Sequence, residues 1–365
     1  MSNSILTFAN KGLEDLHPYE PGRPIEDVVA EYGPKKVVKL ASNENPLGAS
    51  PKAKEVLNLL SNDLHLYPDG DAKELKDSIG ELEKVPSSQI IIGNGSNEII
   101  EIAARAFLNN NTSALMSKHA FAVYKIISQS CGSKVIEVPM LNWSHDLGSF
   151  KDYLSENTRI IFVANPNNPT GTFNSQDEFK SMMQEIPSSV LVVLDLAYFE
   201  YVESDDYINV QELLNEYNNI LITKTFSKIH GIASLRVGYG LCSEELCSVL
   251  NKVRQPFNVN FIAQKAAIAA IHDEDHIQKS KELNSSERQR VNFALKSIGM
   301  DCIDSQGNFI TFKGAFDAQD IFIRLMKRGV IVRPMALYDM PEYIRMTIGT
   351  KEENDYFLDN IGELL

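Results

Sequence analysis

Val190-Leu191-Val192-Val193-Leu194-Asp195-Leu196-Ala197-Tyr198 places a carboxylate directly after five uninterrupted apolar residues. A short Val-rich run without alternation reads as a strand buried on both faces. The charge at its end is costly to bury unless something pairs with it. Similar runs recur at residues 90–92, 113–116, 134–138, 159–163, 220–223 and 237–241. Helical patterns at 96–107, 124–129, 176–185 and 208–215 separate several of them. Buried strands alternating with helices predict an α/β fold with a mainly parallel central sheet sandwiched by helices. In such sheets ligands bind beyond the carboxyl ends of the strands. The residues with chemistry to offer follow those runs.

One run leads into Leu221-Ile222-Thr223-Lys224-Thr225-Phe226-Ser227-Lys228, with Arg236 eight residues on. A lysine after a hydroxyl-rich turn suits attack on an aldehyde carbon beside a bound phosphate. Thr225, Ser227 and Arg236 would hold that phosphate, the arginine through its planar fork. Another run opens Ile90-Ile91-Ile92-Gly93-Asn94-Gly95-Ser96-Asn97-Glu98. Its glycines let backbone approach a ligand. Ser96 is expected to cap the helix, whose free N–H groups attract an anion. The glycine spacing is not that of a dinucleotide site.

The net charge of −14 argues against a nucleic-acid partner. The first residues do not read as a secretion signal, and no apolar run is long enough for a membrane span. Cys131, Cys242, Cys247 and Cys302 are scattered, which fits reduced thiols in a cytoplasmic protein. No metal ligand set is expected. Residues 61–274 carry the strand–helix alternation. The proline-rich residues 1–60 and the stretch 275–365, with strands at 310–312, 330–332 and 344–348, are expected to form a smaller α+β lobe.

Thr225-Phe226-Ser227-Lys228 with Arg236, and Asn165-Pro166-Asn167-Asn168-Pro169-Thr170-Gly171, resemble the fold-type I pyridoxal-phosphate enzymes, specifically class I and II aminotransferases. The resemblance implies pyridoxal 5'-phosphate held by Lys228 as a Schiff base. It implies that Asp195 pairs with the pyridine nitrogen, that Asn168 and Tyr198 bond the ring oxygen, and that Phe121 stacks on the ring. Ser96 and Asn97 fall in the phosphate cradle. Many relatives carry aspartate at Asn97, so its contact is assigned to backbone. Leu196 stands where relatives often have glutamate.

Pro18-Tyr19-Glu20-Pro21-Gly22, Leu40-Ala41-Ser42-Asn43-Glu44-Asn45-Pro46, Arg333-Pro334 and Ile344-Arg345-Met346-Thr347-Ile348-Gly349-Thr350 look closest to the histidinol-phosphate aminotransferases. That implies amino transfer between histidinol phosphate and 2-oxoglutarate. Tyr19, Asn43, Arg333 and Arg345 then face the substrate, with arginines serving either a phosphate or a carboxylate. Tyr67, in Leu64-His65-Leu66-Tyr67-Pro68-Asp69, matches a tyrosine that completes the neighbouring subunit's site, so a homodimer is implied. An aromatic-amino-acid aminotransferase, a decarboxylase of a phosphorylated amino acid, and a non-catalytic binding module remain open alternatives.

Overall fold

A computed structural model describes residues 11–14, 16, 18, 22–58 and 64–365. In chain order the elements begin with α1 (Ile25–Tyr32), β1 (Val38–Lys39), α2 (Pro51–Leu57) and α3 (Lys73–Glu83). They continue with β2 (Ile90–Gly93), α4 (Ser96–Phe107), β3 (Ser113–Ser117), α5 (Ala122–Ser130), β4 (Lys134–Val138) and the short hairpin β5 (Met140–Leu141) and β6 (Ser144–His145). Then come β7 (Thr158–Ala164), α6 (Gln176–Glu185), β8 (Leu191–Asp195), α7 (Val210–Glu216), β9 (Ile220–Thr225), β10 (Gly238–Cys242), α8 (Glu244–Asn251), α9 (Phe261–Ile271) and α10 (Glu274–Ser297). The last are β11 (Asp301–Ile303), β12 (Phe309–Lys313), α11 (Ala318–Lys327), β13 (Val330–Ile331), β14 (Arg333–Pro334), β15 (Ile344–Thr347) and α12 (Lys351–Leu364).

Seven strands form one sheet in the order β2-β10-β9-β8-β7-β3-β4. The pairs from β9 through β4 are parallel, while β10 runs antiparallel to both its neighbours. Every residue of β8 and β9 is buried, as a sheet covered on both faces requires. Alternate residues point to opposite faces. Val192, Leu194, Ile220 and Ile222 meet α3, α6, α7 and α9 in one core. Leu191, Val193 and Leu221 meet α4, α5 and α8 in the other. This period places Asp195, Thr223 and Thr225 on the α4–α5 side, and register sets Asp195 beside Thr223 and Ala164.

A second sheet, β11-β12-β15-β14, is antiparallel. Its core takes Val291 and Leu295 from α10, Ile321 and Leu325 from α11, and Phe357 and Ile361 from α12. Val38 and Leu40 join it, and β1 pairs in parallel with β13. Helix α2 departs from the expected small lobe, since Ala53 packs with α3 and α9 in the large core, and residues 11–13 lie against α5. The two sheets meet at the loop after β7. There the Thr311 hydroxyl donates to the Pro169 carbonyl, and the Gln306 N–H donates to Gly171 at 2.8 Å.

Lys224 alternates away from Thr223 and Thr225 into the large core. It donates to Glu83 at 2.7 Å, Tyr239 donates to the same carboxylate, and the Lys224 ammonium lies over the Phe199 ring. Removing one member of a buried pair strands the other charge, at about 3–5 kcal/mol, whereas an apolar pair of similar volume is near neutral. Lys224→Met is therefore expected to lower stability by about 3–5 kcal/mol in urea unfolding. Adding Glu83→Leu should restore most of it. Equal losses in the single and double variants would show that the pair is not what costs.

Candidate functional site

The carboxyl ends of β2, β3, β7, β8 and β9 open into one cleft, closed on its far side by Arg333 and Arg345. One end is built for an anion. Gly238 stands opposite both Gly93 and Thr225, and a Cβ on it would lie 2.6 Å from the Ser96 nitrogen. Gly95 has φ +77° and lies so close to Arg236 that a Cβ would sit 2.6 Å from a guanidinium nitrogen. Only glycine allows both the backbone conformation and this approach. The Arg236 fork thus rests beside the first turn of α4, where a helix presents unpaired N–H groups. Ser96 was expected as the cap, but it is the first helical residue, and the N-cap is Gly95 with no side-chain bond. Arg236 also donates to Ser227 at 3.3 Å, and the Thr225 hydroxyl accepts the Ser227 N–H at 3.1 Å.

At the other end lies Asp195, 5 % exposed. Its carboxylate accepts the Tyr124 hydroxyl at 2.7 Å and the Thr223 hydroxyl at 3.1 Å. Burial raises its pKa, against these donors, the Ala197 N–H and the charge of Lys228. A carboxylate has about four acceptor sites, so room remains for a cationic N–H donor from the cleft. Asn43, with φ +55°, donates its amide to the Tyr198 hydroxyl at 2.9 Å. Burial pushes the Tyr198 phenol up, so it stays a neutral donor. Arg345 holds Asn168: its guanidinium donates to the Asn168 carbonyl oxygen and, at 2.8 Å, to the Ala41 carbonyl. This orientation leaves the Asn168 N–H₂ free of that bond. The Arg345 Nε is buried without a hydrogen-bond partner among the described residues.

Lys228 donates to the Ser42 carbonyl at 3.2 Å and lies 5.7 Å from the Tyr198 ring centre. Burial, and then the charge of Arg345, lower its pKa to about 8. A lysine so placed carries a useful fraction of neutral amine near neutral pH. Arg333 is the direct cross-strand partner of Arg345, and both are more than nine-tenths buried. Two like charges held opposite each other repel, and an anion between or beside them would relieve that repulsion.

Asn43, Ser96, Asn97, Phe121, Asn168, Asp195, Tyr198, Thr225, Ser227, Lys228, Arg236, Arg333 and Arg345 all line this cleft. Tyr67 does not. It is 82 % exposed and stacks on Phe257 at 4.7 Å. Tyr19 lies outside the described residues. The motifs missed Tyr124 and Thr223, the two side chains that bond Asp195. No spacing signals Tyr124, since 71 residues separate it from its partner. Thr223 had a usable signal in strand alternation, because it shares a face with Thr225. The donor set fits pyridoxal phosphate: cation and N–H groups for a phosphate, a carboxylate for a ring nitrogen, neutral donors for a ring oxygen and an amine for an aldehyde. The Gly95 cradle, and an Arg345 Nε that finds no hydrogen-bond partner among the described residues, agree with an anionic occupant.

The sheet order and the cleft at its carboxyl edge define the scaffold of the fold-type I pyridoxal-phosphate-dependent transferases. The profile of aminotransferase class I and II matches residues 35–361, and the chain belongs to that family. Histidinol-phosphate aminotransferase 2 of Pseudomonas fluorescens (strain Pf-5) is 45% identical over 367 residues, covering 100% of this chain and 99% of that protein. The protein of the same name from Pseudomonas aeruginosa is 45% identical over 365 residues, again covering 100% and 99%. The solved histidinol-phosphate aminotransferase from Sinorhizobium meliloti, in complex with pyridoxal-5'-phosphate, superposes with a TM-score of 0.89 at 24% identity, covering 97% of this chain and 98% of that one. That last likeness shows the fold.

The lowered pKa of Lys228 has a signed consequence for the coenzyme-free chain. An ammonium disfavoured in the folded state burdens folding fully below about 8. The burden fades as pH rises toward 10.5, where the unfolded lysine also loses its proton. Lys228→Met should therefore be more stable than the parent at pH 7 in thermal or urea unfolding. Its advantage should shrink between pH 8 and 10.5. A difference that does not vary across that window would contradict the burial effect.

Proposed function

We propose that this chain is a pyridoxal-phosphate-dependent aminotransferase acting on histidinol phosphate, with 2-oxoglutarate as amino acceptor. The observation that carries the substrate assignment is the cross-strand pair Arg333–Arg345 at the wall of the cleft that holds Lys228. An amine donor with a phosphate and an acceptor with a second carboxylate both need that positive charge. The relatives at 45% identity, named histidinol-phosphate aminotransferases, support it.

When bound, the coenzyme supplies a carbonyl that captures the substrate amine and a protonated ring that withdraws electrons from the adjacent carbon. The protein supplies position and proton control. Lys228 Nζ would take the proton from the substrate carbon and return it, and the burial that lowers its pKa in the coenzyme-free chain favours the neutral amine this task needs. Asp195 would keep a proton on the ring nitrogen. Asn168 and Tyr198 would donate to the ring oxygen, and Arg236, Ser227, Thr225 and the Ser96–Asn97 backbone would hold the phosphate. Phe121 would cover the ring. Arg345 and Arg333 orient the substrate anion, and Arg345 also orients the Asn168 amide.

The active form is a homodimer. Leu64, Leu66 and Tyr67 are 61, 58 and 82 % exposed, and Phe257 beside them is 46 % exposed. Apolar groups so concentrated favour burial against a second copy, where Tyr67 reaches the neighbour's phosphate. Among the described residues, those from 64 to 274 form the large lobe, and residues 275–365 with β1 and Leu40 form the small one, while α2 and residues 11–13 dock on the large lobe. No helix among the described residues is long and apolar enough to cross a membrane. The four cysteines are free, which supports work in a reducing compartment such as the cytoplasm.

Lys228→Ala should abolish amino transfer and remove the visible absorption of lysine-bound coenzyme; retention of both rules out its role. Purified enzyme should transfer amine to 2-oxoglutarate from histidinol phosphate far faster than from phenylalanine. A large preference for phenylalanine would favour the aromatic reading instead. Co-expression of Lys228→Ala with Tyr67→Ala subunits should give more activity than either alone, since one mixed site is then intact. No gain would place Tyr67 outside the neighbour's site.

A further inference from the structure

Tyr124 is a residue that the proposed chemistry leaves without a task. It is 0 % exposed. Its ring stacks on Phe162 at 4.9 Å and 5°, and meets Phe121 edge-on at 5.6 Å. Two aromatic walls leave the phenol one direction, toward Asp195, which it meets at 2.7 Å. Packing alone would be served by phenylalanine, because a hydroxyl in this core costs free energy unless bonded. The hydroxyl is there for the carboxylate.

We infer that Tyr124 is a positioning residue that decides where one proton rests: by donating to Asp195 it keeps that side chain a carboxylate, so that the proton between Asp195 and the coenzyme's ring nitrogen stays on the nitrogen. This rests on the coenzyme assignment proposed above. The proton has two homes. On nitrogen it leaves a cation facing a carboxylate; on Asp195 it leaves a neutral ring facing a carboxylic acid. Donors that bond the carboxylate favour the first. The cleft is where such a bond counts, since burial opposes the charged form of Asp195. Burial also drives the Tyr124 phenol well above its ordinary range, so it donates at every working pH. The Thr223 hydroxyl, at 3.1 Å, is the weaker donor by geometry and by the lower acidity of an alcohol. The other titratable groups around Asp195 are Tyr198 and Tyr207 after β8 and Lys228 after β9. None of them is bonded to it as Tyr124 is. Through its edge contact with Phe121, Tyr124 also ties the proposed nitrogen partner to the proposed ring-stacking residue.

The test is a binding cycle rather than an assay of turnover. Full-length coenzyme-free protein is titrated with pyridoxal phosphate and with its 1-deaza analogue, in which a CH replaces the ring nitrogen. Tyr124→Phe should weaken pyridoxal phosphate several-fold, because Asp195 then has a higher proton affinity and serves less well as the carboxylate facing a ring cation. It should leave the analogue, which offers no ring nitrogen, unchanged. A second variant keeps the shape: 3-fluorotyrosine at position 124 is a stronger donor and should tighten pyridoxal phosphate alone. Equal losses for both compounds, or no loss for either, overturn the inference in favour of packing. If Tyr124→Phe fails to fold, the fluorotyrosine comparison decides: tightening of pyridoxal phosphate only supports the inference, and a parallel change or none overturns it. Failure of the parent protein to bind pyridoxal phosphate would sink the coenzyme assignment itself.

Discussion

The carboxylate of Asp195 is a charge at the end of a fully buried strand, and most of what surrounds it answers that one constraint. An isolated ion in this setting would cost several kcal/mol. The sheet meets part of that cost through register, since β9 brings Thr223 directly beside it. The first turn of α5 meets another part through Tyr124. A remaining acceptor site faces the cleft, where a cation can complete the shell. The same position thus asks for a partner and shows where it must sit.

The strand next door solves the opposite problem. β9 sends Thr223 and Thr225 toward the cleft and Lys224 toward the other core, where Glu83 receives it and Tyr239 donates to the same carboxylate. A buried pair of this kind contributes little stability by itself, yet a slip of one residue would expose the wrong face of β9 to each core. Beyond β9 the chain turns, and Lys228 and Arg236 arrive at the same cleft. The overall charge of −14 works against binding anions. The site overcomes it locally with Arg236, Arg333 and Arg345, each fixed by backbone or strand pairing so that its charge is spent on one place.

Coupling between the two sheets runs through the loop after β7. Its proline-rich stretch presents Asn168 to Arg345 on β15 and the Pro169 carbonyl to Thr311 on β12. A glycine at 171 is needed where the loop meets the turn before β12: φ is +79°, and a Cβ would collide with Ser305 at 2.1 Å. An anion that draws on Arg345 therefore also acts on the residue that orients the Asn168 amide.

Local chemistry settled a good deal in advance. Unbroken apolar runs made β7, β8 and β9 legible, because strands covered on both faces need no polar alternation. Asp195, the last residue of β8, was legible for the same reason, since a parallel sheet exposes only its edge to a ligand, whereas Asn168 and Lys228, past the ends of β7 and β9, were legible from the motifs they sit in. Boundaries where a helix begins were less so. Ser96 looked like a cap because serine often is one, but the close approach of Arg236 required glycine at that place instead. What the linear chain could not carry is convergence across long separations. Tyr124 reaching Asp195, Asn43 reaching Tyr198 and Arg345 reaching Asn168 join residues 71 to 177 positions apart. No periodicity or motif encodes such pairs, because they exist only once strand register and the packing of the small sheet have set the distances.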